Sequence, residues 1–180
     1  MRLHRKTRWY LRRVQSGLKL KHLGPRPIPK GASEIRLFTM ARNEALRLPY
    51  FLSYYFKRGV DRIFLIDNDS TDDTVKIALS YDNVHVFQTK ESFQYYYFWM
   101  ENLLQRYGKY HWCLGVDLDE FLIYPHADEI SIQLLTEYLE QKKYSAIYGI
   151  LLDMYADVDL MNIGYQTERY GSGDMGQVYD

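Results

Sequence analysis

Arg62-Ile63-Phe64-Leu65-Ile66-Asp67-Asn68-Asp69-Ser70-Thr71-Asp72 is the stretch that decides the fold. Four consecutive apolar residues, bounded by polar turn formers, predict a short strand over Arg62–Asp67 buried on both faces. The polar run then leads into a helix over Thr71–Leu79, with Ser70 as its cap and acids at the favourable end of the dipole. A strand that passes through a short loop into a helix is the repeating unit of an α/β protein.

The same unit recurs outward in both directions. Ile35–Met40 reads as a strand, followed by a helix over Leu48–Arg58 whose apolar stripe is Leu48, Phe51, Leu52, Tyr55 and Phe56, with Pro49 in its first turn. Val84–Gln88 is a third strand, and Phe93–Tyr107 a long aromatic helix ended by Gly108. Trp112–Asp117 is a fourth strand, Ile130–Lys142 brackets a further helix, and Ser145–Leu152 reads as a fifth strand. The expected fold class is therefore α/β, a Rossmann-like, mostly parallel sheet with helices on both faces. In such sheets ligands sit beyond the carboxyl ends of the strands.

Composition sets the limits. The 180 residues suit one domain with a sizeable core, and 47% hydrophobic and 26% charged residues are ordinary for a globular chain. The single cysteine, Cys113, excludes an intramolecular disulfide and reads as a core residue. A net charge of zero hides an asymmetry: residues 1–33 hold ten Lys/Arg and no acid, leaving 13 basic against 23 acidic residues beyond. Residues 1–33 therefore read as a basic arm ending in the stiff linker Gly24-Pro25-Arg26-Pro27-Ile28-Pro29-Lys30-Gly31, and residues 34–180 as the domain. Basic residues interleaved with Trp9, Tyr10, Leu11, Val14 and Leu18 suit either a solvated arm or an anionic surface, membrane or nucleic acid. No apolar run in the arm has the length of a transmembrane helix. The glycine-rich tail after Gly164 has no closing element, which reads as a chain truncated at its C-terminus.

Carboxylates collect after the strands. Asp117 and Asp119, with Glu120, follow the fourth strand, and an i, i+2 spacing on a strand turns both side chains to one side. Like charges held so close repel unless a cation joins them, and a hard divalent ion shared with a phosphate is the usual partner. Asp67–Asp72 admits three readings. A calcium loop fails, because Asp72 stands where the glycine belongs and Ala78 where the bidentate glutamate belongs. A strand-to-helix turn fits well, and a nucleotide site with Asp67 accepting from a base remains open. The aromatic run Gln94–Trp99 can stack a sugar, but helical spacing places Phe93, Tyr97 and Met100 in the core. Gln94 and Asn102 are polar groups that can reach a sugar, while His111 and His126 read as bystanders.

Three motifs in order carry a resemblance. Met40-Ala41-Arg42-Asn43-Glu44, then Phe64-Leu65-Ile66-Asp67-Asn68-Asp69-Ser70-Thr71-Asp72, then Trp112 followed by Asp117-Leu118-Asp119-Glu120-Phe121-Leu122, resemble the nucleotide-sugar-binding half of a glycosyltransferase family 2-type enzyme with a GT-A fold. The branch with an Asp-x-Asp-Glu-Phe motif, similar to glycosyltransferase family 92, matches best, over roughly residues 34–150. The resemblance implies a sugar moved from a nucleotide-sugar donor to a hydroxyl acceptor, a glycan or lipid-linked one, in envelope or surface glycan synthesis. It implies that Ala41, Arg42, Asn43 and Glu44 line the nucleoside pocket with Asn68, that Asp67 bonds the base, and that Asp119 binds Mn²⁺ or Mg²⁺ with Asp117 nearer the ribose or a metal-bound water. Asp153, Asp157, Asp159 and Asp174 are candidates for the base, while inverting and retaining outcomes both stay open. The basic residues 1–23 would then rest on the cytoplasmic face of a membrane, and no nucleic acid is expected. Rival readings are an inactive nucleotide- or sugar-binding module, and a nucleotidyltransferase or phosphohydrolase using the same carboxylates.

Overall fold

The computed structural model describes residues 2–24, 26–30 and 33–152. The chain divides into two compact units, Met1–Tyr138 and Leu139–Asp180, and the sheet lies wholly within the first. Five strands form it: β1 (Lys21–Leu23), β2 (Ile35–Ala41), β3 (Arg62–Asp67), β4 (Val84–Gln88) and β5 (Trp112–Gly115). Their order is β1-β4-β3-β2-β5, with β1 antiparallel to β4 and the others parallel. The helices are α1 (Arg2–Leu18), α2 (Leu48–Lys57), α3 (Thr74–Leu79), α4 (Tyr96–Leu103) and α5 (Ile132–Gln141).

Strand periodicity explains the layers. Ile35, Leu37 and Ala41 of β2 and Ile63 and Leu65 of β3 share one cluster with Phe51, Leu52 and Tyr55 of α2 and Ala78 of α3. Phe38, Phe64 and Ile66 point the other way, onto Trp99 and Leu103 of α4. Alternate side chains thus feed cores on both faces of the sheet, as the unbroken apolar reading of β3 requires. Each buried Leu, Ile or Phe contributes about 1.5–3 kcal/mol from removal of apolar surface from water.

Several expectations are corrected. The basic head is no separate arm: α1 lies along α4, and β1 adds an antiparallel edge to β4. The proline-rich segment is pinned, because the Arg26 guanidinium donates to the Leu79 and Tyr81 carbonyls and Arg36 to the Pro29 carbonyl. Phe93–Tyr107 is not one helix. A 3₁₀ turn over Phe93–Tyr95 precedes α4, and a wide turn over Leu104–Gly108 follows it. That tighter start shifts the phase, so Phe93 and Tyr97 are 57% and 69% exposed while Trp99 and Leu103 go inside.

Helix α3 starts at Thr74, three residues later than expected, and Ser70 does not cap it. Cys113 is exposed on the edge strand β5 rather than buried. Ser145–Leu152 forms no strand: it pairs with no other described segment, and Tyr148 and Ile150 are fully exposed. An apolar run becomes a strand only where an edge accepts its hydrogen bonds. Among the described residues, no helix is long and apolar enough to cross a membrane.

Candidate functional site

Strand order places the site. From β2 the chain steps outward through β3 to β4, then returns to lay β5 on the opposite side of β2. The order reverses between β2 and β5, the position where an open α/β sheet leaves a crevice at its carboxyl ends. The loops that rim this crevice are Arg42–Arg47 after β2 and Val116–Glu120 after β5, with Asn68–Asp73 beside them after β3.

The first and third of these loops are tied together. The Asn43 N–H donates to Ser70 Oγ (2.9 Å), and the Thr71 N–H to Asn43 Oδ1 (2.7 Å). The Glu44 N–H donates to Thr74 Oγ1 (2.7 Å), and the Ala45 N–H to Asp72 Oδ2 (3.0 Å). Burial alone would raise the Asp72 carboxyl, but the hydrogen bonds from Thr74 and Ala45 together outweigh it and hold the group below its usual range. Asn43 and Asp69 adopt positive φ (58° and 59°), which short polar side chains tolerate best after glycine.

Asp67 closes this lock from below. It is completely buried, and its carboxylate accepts from the Ser70 N–H (3.2 and 3.3 Å) and from Gln88 Nε2 (2.8 Å). Asn68 is buried too, donating to the Thr89 carbonyl (3.2 Å) and the Glu91 carbonyl (2.9 Å). Asp67 and Asn68 therefore shape the loop from within, whereas Arg42 and Asn43 lie exposed at its surface. Arg42 has no ion-pair partner among the described residues.

The loop after β5 is built differently. Strand β5 ends at Gly115, so Asp117 and Asp119 lie in a turn and the strand pleat does not align them. The turn does so instead: Leu118 is buried in the core, and Asp117 and Asp119 on either side of it are exposed. Its return is fixed by Tyr55, whose hydroxyl donates to the Glu120 carbonyl (3.0 Å) and accepts from the Leu122 N–H (3.1 Å). Glu120 Oε2 accepts the Asp117 N–H (2.9 Å), which holds the third carboxylate close. Partial burial, then the charges of Glu120 and Asp119, push the Asp117 carboxyl above its usual range.

Arg47 is the residue that sequence reasoning missed. Its guanidinium grips Glu44 with two hydrogen bonds (2.8 and 2.9 Å) and lies 3.9 Å from Asp119 Oδ2. It links the β2 loop to the β5 turn across the reversal point. No local signal marks it, since it sits in an ordinary turn before α2. Tyr96 adds an aromatic rim. Its hydroxyl is pushed up to about 12, chiefly by its hydrogen bond to Tyr97, then by burial and the charges of Tyr97 and Asp117.

Other candidates lie elsewhere. Asn102 is committed to the Arg13 and Phe98 carbonyls (both 2.7 Å), so it holds α1 and does not reach toward a sugar. His111 accepts the Glu34 N–H (3.3 Å) at the opposite end of the sheet, and His126 stands exposed beside Glu129. Asp153, Asp157, Asp159 and Asp174 lie outside the described residues. Among the described residues, no group of three or more His, Cys, Asp or Glu side chains is disposed to hold a metal ion. No family model matches the chain, and a search of curated proteins finds no match either.

Proposed function

We propose that this chain is a glycosyltransferase of GT-A-like fold that moves a sugar from a nucleotide-sugar donor to a hydroxyl acceptor with the help of Mg²⁺ or Mn²⁺. One observation carries the reading: at the strand-order reversal, Arg47 joins Glu44 of the β2 loop to Asp119 of an exposed, self-repelling acidic turn. A nucleoside diphosphate spans such a crevice, its nucleoside against the locked loops and its phosphates against the turn.

The donor set suits a hard ion. Asp117 and Asp119 offer exposed carboxylate oxygens, and the Asp117 carboxyl is raised first by partial burial and then by the charges of Glu120 and Asp119. A hard divalent ion bound by one or two carboxylates takes its remaining ligands from water and phosphate. Asp119 and Asp117 would hold it, and when bound it stabilises charge on the leaving diphosphate.

The chain's own residues do the rest. Arg42, exposed and free of an ion pair among the described residues, is placed to bond a phosphate oxygen in the planar manner of guanidinium. Arg47 positions Asp119, and Asn43 with Ser70 forms the surface on which the nucleoside rests. Asp67 supports that surface from beneath and meets the base only if Gln88 or the Ser70 N–H yields. A carboxylate base would take the proton of the acceptor hydroxyl as its oxygen attacks the anomeric carbon and the nucleoside diphosphate leaves; the candidates Asp153, Asp157, Asp159 and Asp174 lie outside the described residues.

The test is to incubate the protein with Mn²⁺ and a panel of nucleotide sugars, measuring thermal shift and release of nucleoside diphosphate. The reading expects a Mn²⁺-dependent shift with at least one donor, and release once an acceptor is supplied. A shift without release would leave a binding module. No shift with any donor would end the proposal.

A further inference from the structure

Helix α1 is oriented the wrong way round for a helix that serves only the core. A surface helix ordinarily turns its apolar stripe inward and its polar face to water. Here the face toward α4 is polar and small. Arg13 pairs with Glu101 (3.3 Å), Asn102 donates to the Arg13 carbonyl, Ser16 is buried, and a Cβ on Gly17 would collide with Asn102. Trp9 brings an apolar group to that contact, against the Phe98 ring (5.6 Å), yet remains half exposed.

The apolar stripe is left outside. Tyr10 (54% exposed), Leu11 (52%), Val14 (39%) and Leu18 (82%) recur at three- and four-residue steps along the outer face. Arg8 is exposed beside them, Arg12 is exposed with its guanidinium over the Tyr95 ring (4.8 Å), and the first acid in the chain is Glu34. The remainder of the chain carries the excess of acid, so positive charge is concentrated where the stripe is.

We propose that α1 is a membrane-surface helix that lies in the interface of an anionic bilayer, with Tyr10, Leu11, Val14 and Leu18 among the acyl chains and its arginines against lipid phosphates. The combination of an exposed apolar stripe with flanking cations is what an interfacial helix needs. Charge decides against the other occupant, a second copy of α1. Pairing two such stripes would bring two cation-rich segments together, with no acid before Glu34 to answer them. Attachment to α4 survives docking, because it uses the opposite face. Just after α1 the chain is tied to the loop that follows β4 and to α4: Lys19 bonds Glu91 (2.8 Å), which also accepts from Trp99 Nε1 (2.9 Å).

The inference stands independently of the proposed transfer chemistry. The full chain is co-sedimented with vesicles of phosphatidylcholine alone, and with vesicles of phosphatidylcholine and phosphatidylglycerol in equal parts. Binding should be at least about tenfold tighter to the anionic vesicles and should weaken with salt. Leu11→Gln with Leu18→Gln should reduce it by about tenfold or more while leaving the circular-dichroism melting curve unchanged, since both side chains face solvent. Arg8→Glu should weaken binding to anionic vesicles only. Equal binding to both vesicles, or full retention in the double variant, would overturn the proposal. So would a wild-type chain that ignores vesicles but sediments as a dimer that the double variant dissolves.

Discussion

The two ends of one sheet hold charge in opposite states. At the amino ends of the parallel strands, Glu34 is enclosed by Arg62 (2.8 Å) and Arg36 (2.7 Å), all three side chains being at most 10% exposed. Hydrogen bonds from Arg62, with smaller help from Arg36, hold its carboxyl below the usual range despite burial. At the carboxyl ends, Asp117 is pushed the other way by burial and by Glu120 and Asp119, with Arg47 the nearby cation. The first cluster is satisfied by the protein itself; in the second, Arg47 meets Asp119 at 3.9 Å while Asp117 has no ion-pair partner among the described residues. A buried, answered charge belongs to the fold; an exposed, unanswered one points to a ligand.

The contrast can be broken most forcefully at Glu34. Glu34→Gln leaves Arg62 and Arg36 partly uncompensated, and should cost about 3 kcal/mol in urea unfolding while sparing donor affinity. A loss of donor affinity at equal stability would erase the distinction between the two ends. Asp67→Ala tests the closed part of the carboxyl end. It strands the Ser70 N–H and the Gln88 amide in a buried place, which should cost about 2 kcal/mol.

His85 sharpens the comparison through pH. Burial first, then Arg62 and His22, bring its pKa down to about 4, and Arg62 Nη1 lies 3.0 Å from its Nε2. The unfolded chain takes up this proton near pH 6.5, the folded chain only near pH 4, so stability falls as pH drops through that window. His85→Phe should flatten that slope in thermal melts taken across the window. Asp117 has the opposite sign. Its raised carboxyl costs stability once ionised and recovers it as pH falls toward the usual 3.8. Asp117→Asn should therefore raise stability at neutral pH, by at most about 0.5 kcal/mol because solvent screens so exposed a group.

What was legible in the sequence divides along the same physical line. Strands β3 and β4 fall where their residues predict, because an unbroken apolar run between turn formers needs no distant information. The loop residues were legible in kind, Asn, Asp and Ser at strand ends, but their bonding was not. Ser70 serves Asn43 across the loop instead of capping α3, a partner 27 residues away. Arg47 was invisible because its meaning depends on Asp119, which only the return of β5 brings near. The basic head misled because α1 packs through polar groups and a glycine, so no inward apolar stripe announced it. Phe93 and Tyr97 misled through phase, shifted by one tight turn.

The central claim is that the acidic turn after β5 holds a divalent ion together with a diphosphate. Asp119 tests it directly, since its side chain is 69% exposed and its replacement should leave stability within about 0.5 kcal/mol. Titration calorimetry of Mn²⁺ with a panel of nucleoside diphosphates should show ion-dependent binding by the wild-type chain. In Asp119→Ala, that binding should weaken at least about tenfold, a loss of about 1.4 kcal/mol. Equal, Mn²⁺-dependent binding in the two proteins would contradict the account.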